Sequence, residues 1–129
     1  WEVLVAFELD HNVNSEQGGR AGAHDAFDKE GNEFEYKVSK TFSWNFQDIS
    51  PNVLRKYLTD KAVILAMVDK TEIKVKAIFS ASPQKVVKRL KEKLSEKRAK
   101  HKKLNKTLRR LQVSLSRGDL KKINARQIL

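Results

Sequence analysis

Apolar and polar residues alternate along two stretches of the chain, and this alternation is typical of β-strands that bury one face. The first stretch is residues 33–39, EFEYKVS, and the second is residues 72–79, EIKVKAIF. In the second stretch, the residues expected to share one face are Ile73, Val75 and Ala77. Residues 61–68, KAVILAMV, are apolar almost without interruption, which predicts a strand buried on both faces.

A serine followed by a proline marks the start of two predicted helices. Ser50 and Ser82 can accept hydrogen bonds from the first helical N–H groups, and the proline after each serine suits the first helical position. We expect the first helix to end near residue 59 and the second, which is much longer, to end near residue 111.

The rest of the chain predicts shorter elements. Residues 1–11 favour a helix, although a strand also fits their apolar pattern. The inward residues of that helix would be Leu4, Val5 and Phe7. The remaining segments predict a glycine-rich loop (12–22), an aromatic connection (42–49), a short strand (112–115), a turn (117–119) and a terminal helix (120–129). Together these elements predict an α/β fold with a mixed central sheet, flanking helices and a long C-terminal helix.

One segment carries the net charge of the chain. The formal net charge is +11, and residues 85–110 contain thirteen Lys and Arg against two acids, which by itself gives +11. So many like charges repel one another unless a polyanion screens them, so we expect nucleic acid as the partner. A membrane surface is a weaker alternative, because residues 97–103 supply no bulky apolar anchors. A charged helix that is simply solvated is the plainest alternative.

The composition excludes several classes of protein. The absence of cysteine excludes disulfides and thiolate zinc sites. No apolar run has the length of a membrane span, and the first residues include Glu2 and Glu8 instead of a basic leader. Because the first residue is Trp1 and not Met, we expect either a segment of a longer chain or a start that lies before Trp1. Three histidines are scattered without the spacing of metal ligands and are expected at surface or loop positions: His11, His24 and His101.

Residues 25–37 predict a β-hairpin with a charged face. The DKEGN sequence at 28–32 fits a three-residue loop that ends on a glycine in the left-handed conformation. That loop pairs its flanking residues, and counting back along both strands sets Asp25 opposite Glu35, with β-carbons roughly 5 Å apart. Lys37 lies on the same face as Glu35, two residues along the strand. The opposite face of that strand holds Phe34, Tyr36 and Val38.

Two carboxylates beside one ammonium are groups that phosphodiester hydrolysis uses. Asp25 and Glu35 are candidate ligands of Mg²⁺, which neutralises charge on a bound phosphate. Lys37 is a candidate for orienting or deprotonating the attacking water. The simpler interpretation is a solvated strand face with cross-strand charges, since Glu-x-Lys by itself is common.

The order of these residues resembles the PD-(D/E)xK nuclease motif, in the setting of type II restriction endonucleases. The likeness covers roughly residues 1–80, and one departure is that His24 stands where the motif has proline. It implies a restriction-endonuclease-like fold, in which residues 1–82 form the nuclease core and residues 83–129 form a basic helical region packed on the same domain. It also implies that Asp25 and Glu35 hold Mg²⁺, and that Lys37 acts on the attacking water. A carboxylate of the first helix, Glu2 or Glu8, could join them.

The resemblance implies a Mg²⁺-dependent endonuclease that hydrolyses double-stranded DNA as a homodimer in the cytoplasm of a prokaryote, without a membrane partner. The alternatives are a homing endonuclease or junction resolvase of the same fold, and a non-catalytic nucleic-acid-binding module. The residues expected to contact DNA are Arg20, Lys40, Lys97, Arg98, Lys100, Lys102 and Lys103.

Overall fold

The computed structural model describes residues 1–13, 24–103 and 112–129. Its helices are α1 (Glu2–Leu9), α2 (Pro51–Leu58), α3 (Pro83–Lys103) and α4 (Arg117–Lys122). Its strands are β1 (Asn12–Val13), β2 (Ala26–Phe27), β3 (Glu33–Ser39), β4 (Ser43–Phe46), β5 (Ala62–Asp69), β6 (Lys74–Ala81), β7 (Val113–Ser116) and β8 (Arg126–Gln127).

A six-stranded sheet in the order β1-β2-β3-β5-β6-β8 forms the centre of the fold. β3 and β5 are parallel, and the other neighbours in this sheet are antiparallel. The parallel pair needs a crossover connection, which β4 and α2 supply. β4 itself pairs with β7 in a second, two-stranded sheet. The predicted α/β class, with a mixed central sheet and flanking helices, is confirmed.

Both faces of the central sheet are covered, which explains why β5 is apolar almost throughout. On one face, Val5 and Ala6 of α1 pack in a cluster with Ile64 of β5. On the other face, Val63 and Leu65 of β5 pack in a larger cluster with α2, α3 and the two-stranded sheet. The candidate site lies toward this second face, because Glu35 points away from the α1 side.

The N-terminal helix is present, but its buried side differs from the prediction. Val5 is buried and Leu4 is half-buried, whereas the side chain of Phe7 is 80% exposed. Ala6 and Leu9 contact the core in its place. Residues four apart share a helix face, so Val5 and Leu9 point inward together and Phe7 points away. The prediction that Phe7 points toward the core was therefore wrong.

The two serine–proline helix starts are confirmed. Ser50 accepts a hydrogen bond from the N–H of Val53 at 3.2 Å, and Pro51 is the first residue of α2. α3 begins at Pro83. Its predicted apolar stripe is buried and consists of Val86, Val87, Leu90 and Leu94. The predicted continuation of this helix from residue 104 to 111 lies outside the described residues.

β6 begins two residues later than expected. The carboxylate of Asp69 accepts hydrogen bonds from the N–H groups of Thr71 and Glu72, at 2.9 and 3.1 Å, and so holds a turn before the strand. Ile73 ends this turn with a φ of 53° and is 69% exposed. It therefore does not share a buried face with Ala77.

The C-terminal segment differs most from the prediction. The expected turn at 117–119 is the first turn of α4, and the expected terminal helix at 120–129 ends after Lys122. Ser116 and Asp119 form a capping box, which starts the helix earlier than predicted. The chain then adds β8 beside β6, at the edge of the central sheet.

Asp119 also links α4 to α3. Its carboxylate accepts hydrogen bonds from Arg89 Nε at 2.7 Å and Lys93 Nζ at 2.6 Å, besides that from the N–H of Ser116 at 2.8 Å. Burial raises the pKa of Asp119, but these hydrogen bonds outweigh burial and hold the pKa well below its usual range. Two of the basic residues of α3 are therefore part of the folded framework and are not free for a ligand.

Candidate functional site

The predicted hairpin and its register are confirmed. Ala26 lies opposite Phe34, and continuing that register sets Asp25 opposite Glu35. Gly31 occupies the last position of the loop with a φ of 83°, a conformation that glycine adopts without the steric penalty of a β-carbon. The local sequence of the loop thus fixes which residues meet across the two strands.

Asp25 lies directly before β2, and its side chain makes the last hydrogen bond between the two strands of the hairpin. Its backbone N–H donates to the carbonyl of Phe34 at 3.1 Å, and its Oδ2 accepts the N–H of Tyr36 at 2.8 Å. The carboxylate thus takes the place of a strand carbonyl. This hydrogen bond holds Asp25 beside the backbone of the residue that separates Glu35 from Lys37.

Glu35 is a charged residue in a buried position. It is 6% exposed, and its Oε2 has no hydrogen-bond partner within the described part of the chain. Burial, and then the negative charge of Asp25, raise the pKa of Glu35 to about 7, while Lys56 and Lys37 act in the opposite direction. A carboxylate in this position needs more positive charge than the two lysines supply if it is to ionise fully at neutral pH.

Two lysines lie near Glu35, each beside a different oxygen of its carboxylate. Lys37 Nζ lies 3.9 Å from Oε1, and Lys56 Nζ, from α2, lies 3.4 Å from Oε2. The ammonium of Lys37 also lies 5.1 Å from the ring centre of Phe46, a cation–π distance. About a quarter of the Lys37 side chain is exposed, so its ammonium can meet a ligand from solvent. Asp25, Glu35 and Lys37 are thus brought together as predicted.

His24 and Asp60 form a second close contact beside Glu35. The side chain of Asp60 is fully buried, and its Oδ1 lies 2.5 Å from Nδ1 of His24. One ligand atom from each of His24, Glu35 and Asp60 lies within 4.8 Å of the others. Burial raises the pKa of Asp60 to about 7, with Asp25 adding to the effect and Lys56 opposing it. His24 lies in the irregular segment before β2, as expected of a loop histidine, but the spacing of the histidines did not indicate that it would join a cluster of ligands.

Asp60 and Lys56 were missed because they belong to a distant part of the sequence. β5 runs parallel to β3 with Ala62 opposite Phe34, and the N–H of Lys61 donates to the carbonyl of Glu33 at 2.8 Å. This pairing carries the end of α2 to the start of β3. The available signal was a lone acid directly before an apolar strand, which becomes informative only once the parallel register is known.

Glu2 of the first helix reaches the same region. Partial burial and the negative charge of Asp25 raise the pKa of Glu2, and the positive charge of Lys37 lowers it. These mutual effects mean that Glu2 lies within electrostatic range of the predicted catalytic set.

The residues predicted to contact DNA fall into three groups. Lys40, Arg98 and Lys100 are exposed, whereas Lys97 Nζ donates to the carbonyl of Gln112 at 2.8 Å. Arg20 lies outside the described residues, as do the side chains of Lys102 and Lys103. Further exposed basic residues of α3 are Lys85, Lys88 and Lys91. The described part of α3 therefore presents several cations to solvent.

Among the described helices, none combines the length and the apolar character needed to cross a lipid bilayer. A scan against protein-family models and a search of curated proteins give no match to this chain.

Proposed function

We propose that the protein is a Mg²⁺-dependent endonuclease of the PD-(D/E)xK type, resembling type II restriction endonucleases in fold and activity. Its substrate is double-stranded DNA, and its catalytic residues are Asp25, Glu35 and Lys37. It acts as a homodimer, because a duplex presents two strands to be cut.

One observation carries this proposal: Glu35 is buried, carries an oxygen without a hydrogen-bond partner, and lies beside both Asp25 and Lys37. A structural role alone gives little reason to bury a carboxylate that is raised in pKa by a second acid. Perturbed carboxylates of this kind concentrate at functional sites. The two acids and the lysine also occur in the order of the nuclease motif, with Asp25 directly before β2 and both Glu35 and Lys37 on β3.

The residues fit a magnesium ion. Carboxylate oxygens are the ligands that Mg²⁺ prefers, and it usually takes one or two of them together with water and phosphate oxygens. Asp25 and Glu35 supply such oxygens, and the raised pKa of Glu35 indicates a place where added positive charge is favourable. When bound, the ion would neutralise charge on the scissile phosphate.

The chain itself would position the reacting groups. Tyr36 N–H fixes the carboxylate of Asp25, so its free oxygen keeps a constant place relative to Glu35. Lys37 would orient the attacking water and stabilise the negative charge that develops on the phosphate. The Phe46 ring beneath the ammonium of Lys37 limits where that ammonium can move.

The basic surface of α3 would hold the DNA backbone. Lys and Arg side chains bind phosphates without reading bases, so this contact supplies affinity and orientation. The exposed residues Arg98 and Lys100 belong to this surface, together with Lys40 at the end of β3. Lys40 also lies near Lys70, and the positive charge of Lys40 lowers the pKa of Lys70. These two lysines form a second basic patch at that end of the sheet.

The test is incubation of a defined plasmid with the protein and Mg²⁺, with an EDTA control, followed by mapping of the cut ends. Cleavage into discrete fragments with constant ends would support the proposal. DNA binding that weakens steeply with salt, without cutting in any divalent metal, would show a non-catalytic binding module and overturn it.

A further inference from the structure

A cluster of one imidazole and two carboxylates lies between β3 and the segment that follows α2, and it shares Glu35 with the proposed Mg²⁺ site. His24 comes from the start of the hairpin, Glu35 from β3, and Asp60 from the bend between α2 and β5. The nuclease proposal uses Glu35 but leaves the other two side chains without a role.

The two carboxylates of this cluster lack the hydrogen bonds that buried acids normally have. Neither oxygen of Asp60 has a hydrogen-bond partner in the described part of the chain, and neither has Oε2 of Glu35. Asp60 Oδ1 and His24 Nδ1 are 2.5 Å apart, yet they are not aligned as a hydrogen bond. Buried polar atoms in native proteins are nearly always satisfied, so these atoms point to a missing partner.

We propose that His24, Glu35 and Asp60 bind one divalent transition-metal ion, such as Zn²⁺, at a site distinct from the proposed Mg²⁺ site. This inference does not depend on the nuclease proposal. The ligand atoms lie within 4.8 Å of one another. Two ligand atoms of one tetrahedral zinc ion, each bonded at about 2.1 Å, lie about 3.4 Å apart. A closure of at most about 1.4 Å would therefore bring all three into bonding distance.

The donor set favours zinc over magnesium. An imidazole nitrogen suits zinc and its neighbours in the transition series, whereas Mg²⁺ prefers an all-oxygen, water-rich shell. Two carboxylates also balance the charge of a divalent ion. The His24 ring is oriented for this role, because its other nitrogen, Nε2, lies 3.3 Å from Thr59 Oγ1 and 3.7 Å from Glu33 Oε2.

When no metal is bound, the ammonium of Lys56 supplies part of the positive charge that the ion would bring to Glu35. Its ammonium lies 3.4 Å from Glu35 Oε2, and about a fifth of its side chain is exposed, so it can turn out to solvent when a metal enters. Lys37 instead approaches Oε1. The two oxygens of Glu35 thus face the two proposed sites, and one carboxylate can serve both.

The experiment is a calorimetric titration of the metal-free protein with Zn²⁺ in the presence of excess Mg²⁺. We expect one zinc per chain. His24→Gln and Asp60→Asn should each weaken zinc binding by at least about 100-fold, since even the loss of a residue that only supports a ligand costs 10–100-fold. Glu30→Gln is the matched control and should retain zinc, because Glu30 is exposed in the hairpin loop, outside the cluster.

Two results would overturn the inference: failure of the wild-type chain to bind zinc, or loss of zinc in Glu30→Gln with retention in Asp60→Asn. The fold of each variant is checked by circular dichroism. If Asp60→Asn does not fold, the His24→Gln titration decides the question alone. Since no DNA is present, these results are independent of whether the protein cuts DNA.

Discussion

Replacing Glu35 with glutamine should stabilise the metal-free protein at alkaline pH. Burial raises the pKa of this carboxyl from 4.5 to about 7. When the carboxyl is ionised, a pKa rise of that size lowers the free energy of unfolding by about 3 kcal/mol. Relaxation around the new amide reduces the gain, so we expect Glu35→Gln to add about 1–3 kcal/mol.

The sign of the pH dependence follows from the raised pKa. Below pH 4.5 the carboxyl is protonated in both the folded and the unfolded chain, so the substitution changes little. Between pH 4.5 and about 7 the unfolded chain releases the proton first, and the wild type loses stability as pH rises. Above about pH 7 the full difference between Glu35→Gln and wild type is present.

The assay is urea unfolding in EDTA at pH 4.5 and at pH 8. Glu33→Gln is the matched control on the same strand, since about half of its side chain is exposed, and it should change stability by less than about 0.5 kcal/mol. A Glu35→Gln variant that is less stable than wild type at pH 8 would refute the reasoning. It would mean that Lys37 and Lys56 compensate Glu35 completely.

Two further stability predictions concern the framework. Asp119→Ala should lower the free energy of unfolding in urea by about 3–5 kcal/mol, because it leaves two cations of α3 without their buried partner. The control is Glu92→Ala, which removes an exposed ion pair and should lower the free energy of unfolding by less than about 1 kcal/mol. Equal losses would contradict the role of Asp119. Gly31→Ala should cost about 1–2 kcal/mol through its positive φ alone, since no atom would contact the new β-carbon, and Gly118→Ala should be neutral or slightly stabilising. Thermal unfolding of both variants checks this, and equal melting temperatures would disprove the strain.

The hairpin that carries the proposed catalytic residues could be predicted because its geometry is local. The DKEGN loop and the alternation along β3 lie within a few residues of one another, and turn chemistry sets the register. Asp25, Glu35 and Lys37 therefore meet as expected. The left-handed Gly31 is the residue on which that register depends most directly.

The residues brought in by long-range pairing could not be predicted. Asp60 and Lys56 reach Glu35 only because β5 runs parallel to β3, and nothing local in residues 51–62 specifies that pairing. The short strand β8 also depends on long-range pairing, here with β6. Two residues are enough to form this strand because the edge of the sheet at β6 is open, and their own sequence does not indicate it. At the N-terminus, α1 is apolar on most sides, so its pattern did not indicate that Phe7 would be left exposed.

The most direct test of the proposed activity compares Lys37→Ala with Lys29→Ala, an exposed lysine in the loop of the same hairpin. Cleavage of a plasmid in Mg²⁺ and binding of the duplex in EDTA are measured for both variants. Lys37→Ala should lose cleavage by at least about 100-fold while it still binds DNA, and Lys29→Ala should cut like wild type. Cleavage by Lys37→Ala at the wild-type rate would contradict the assignment of the catalytic site.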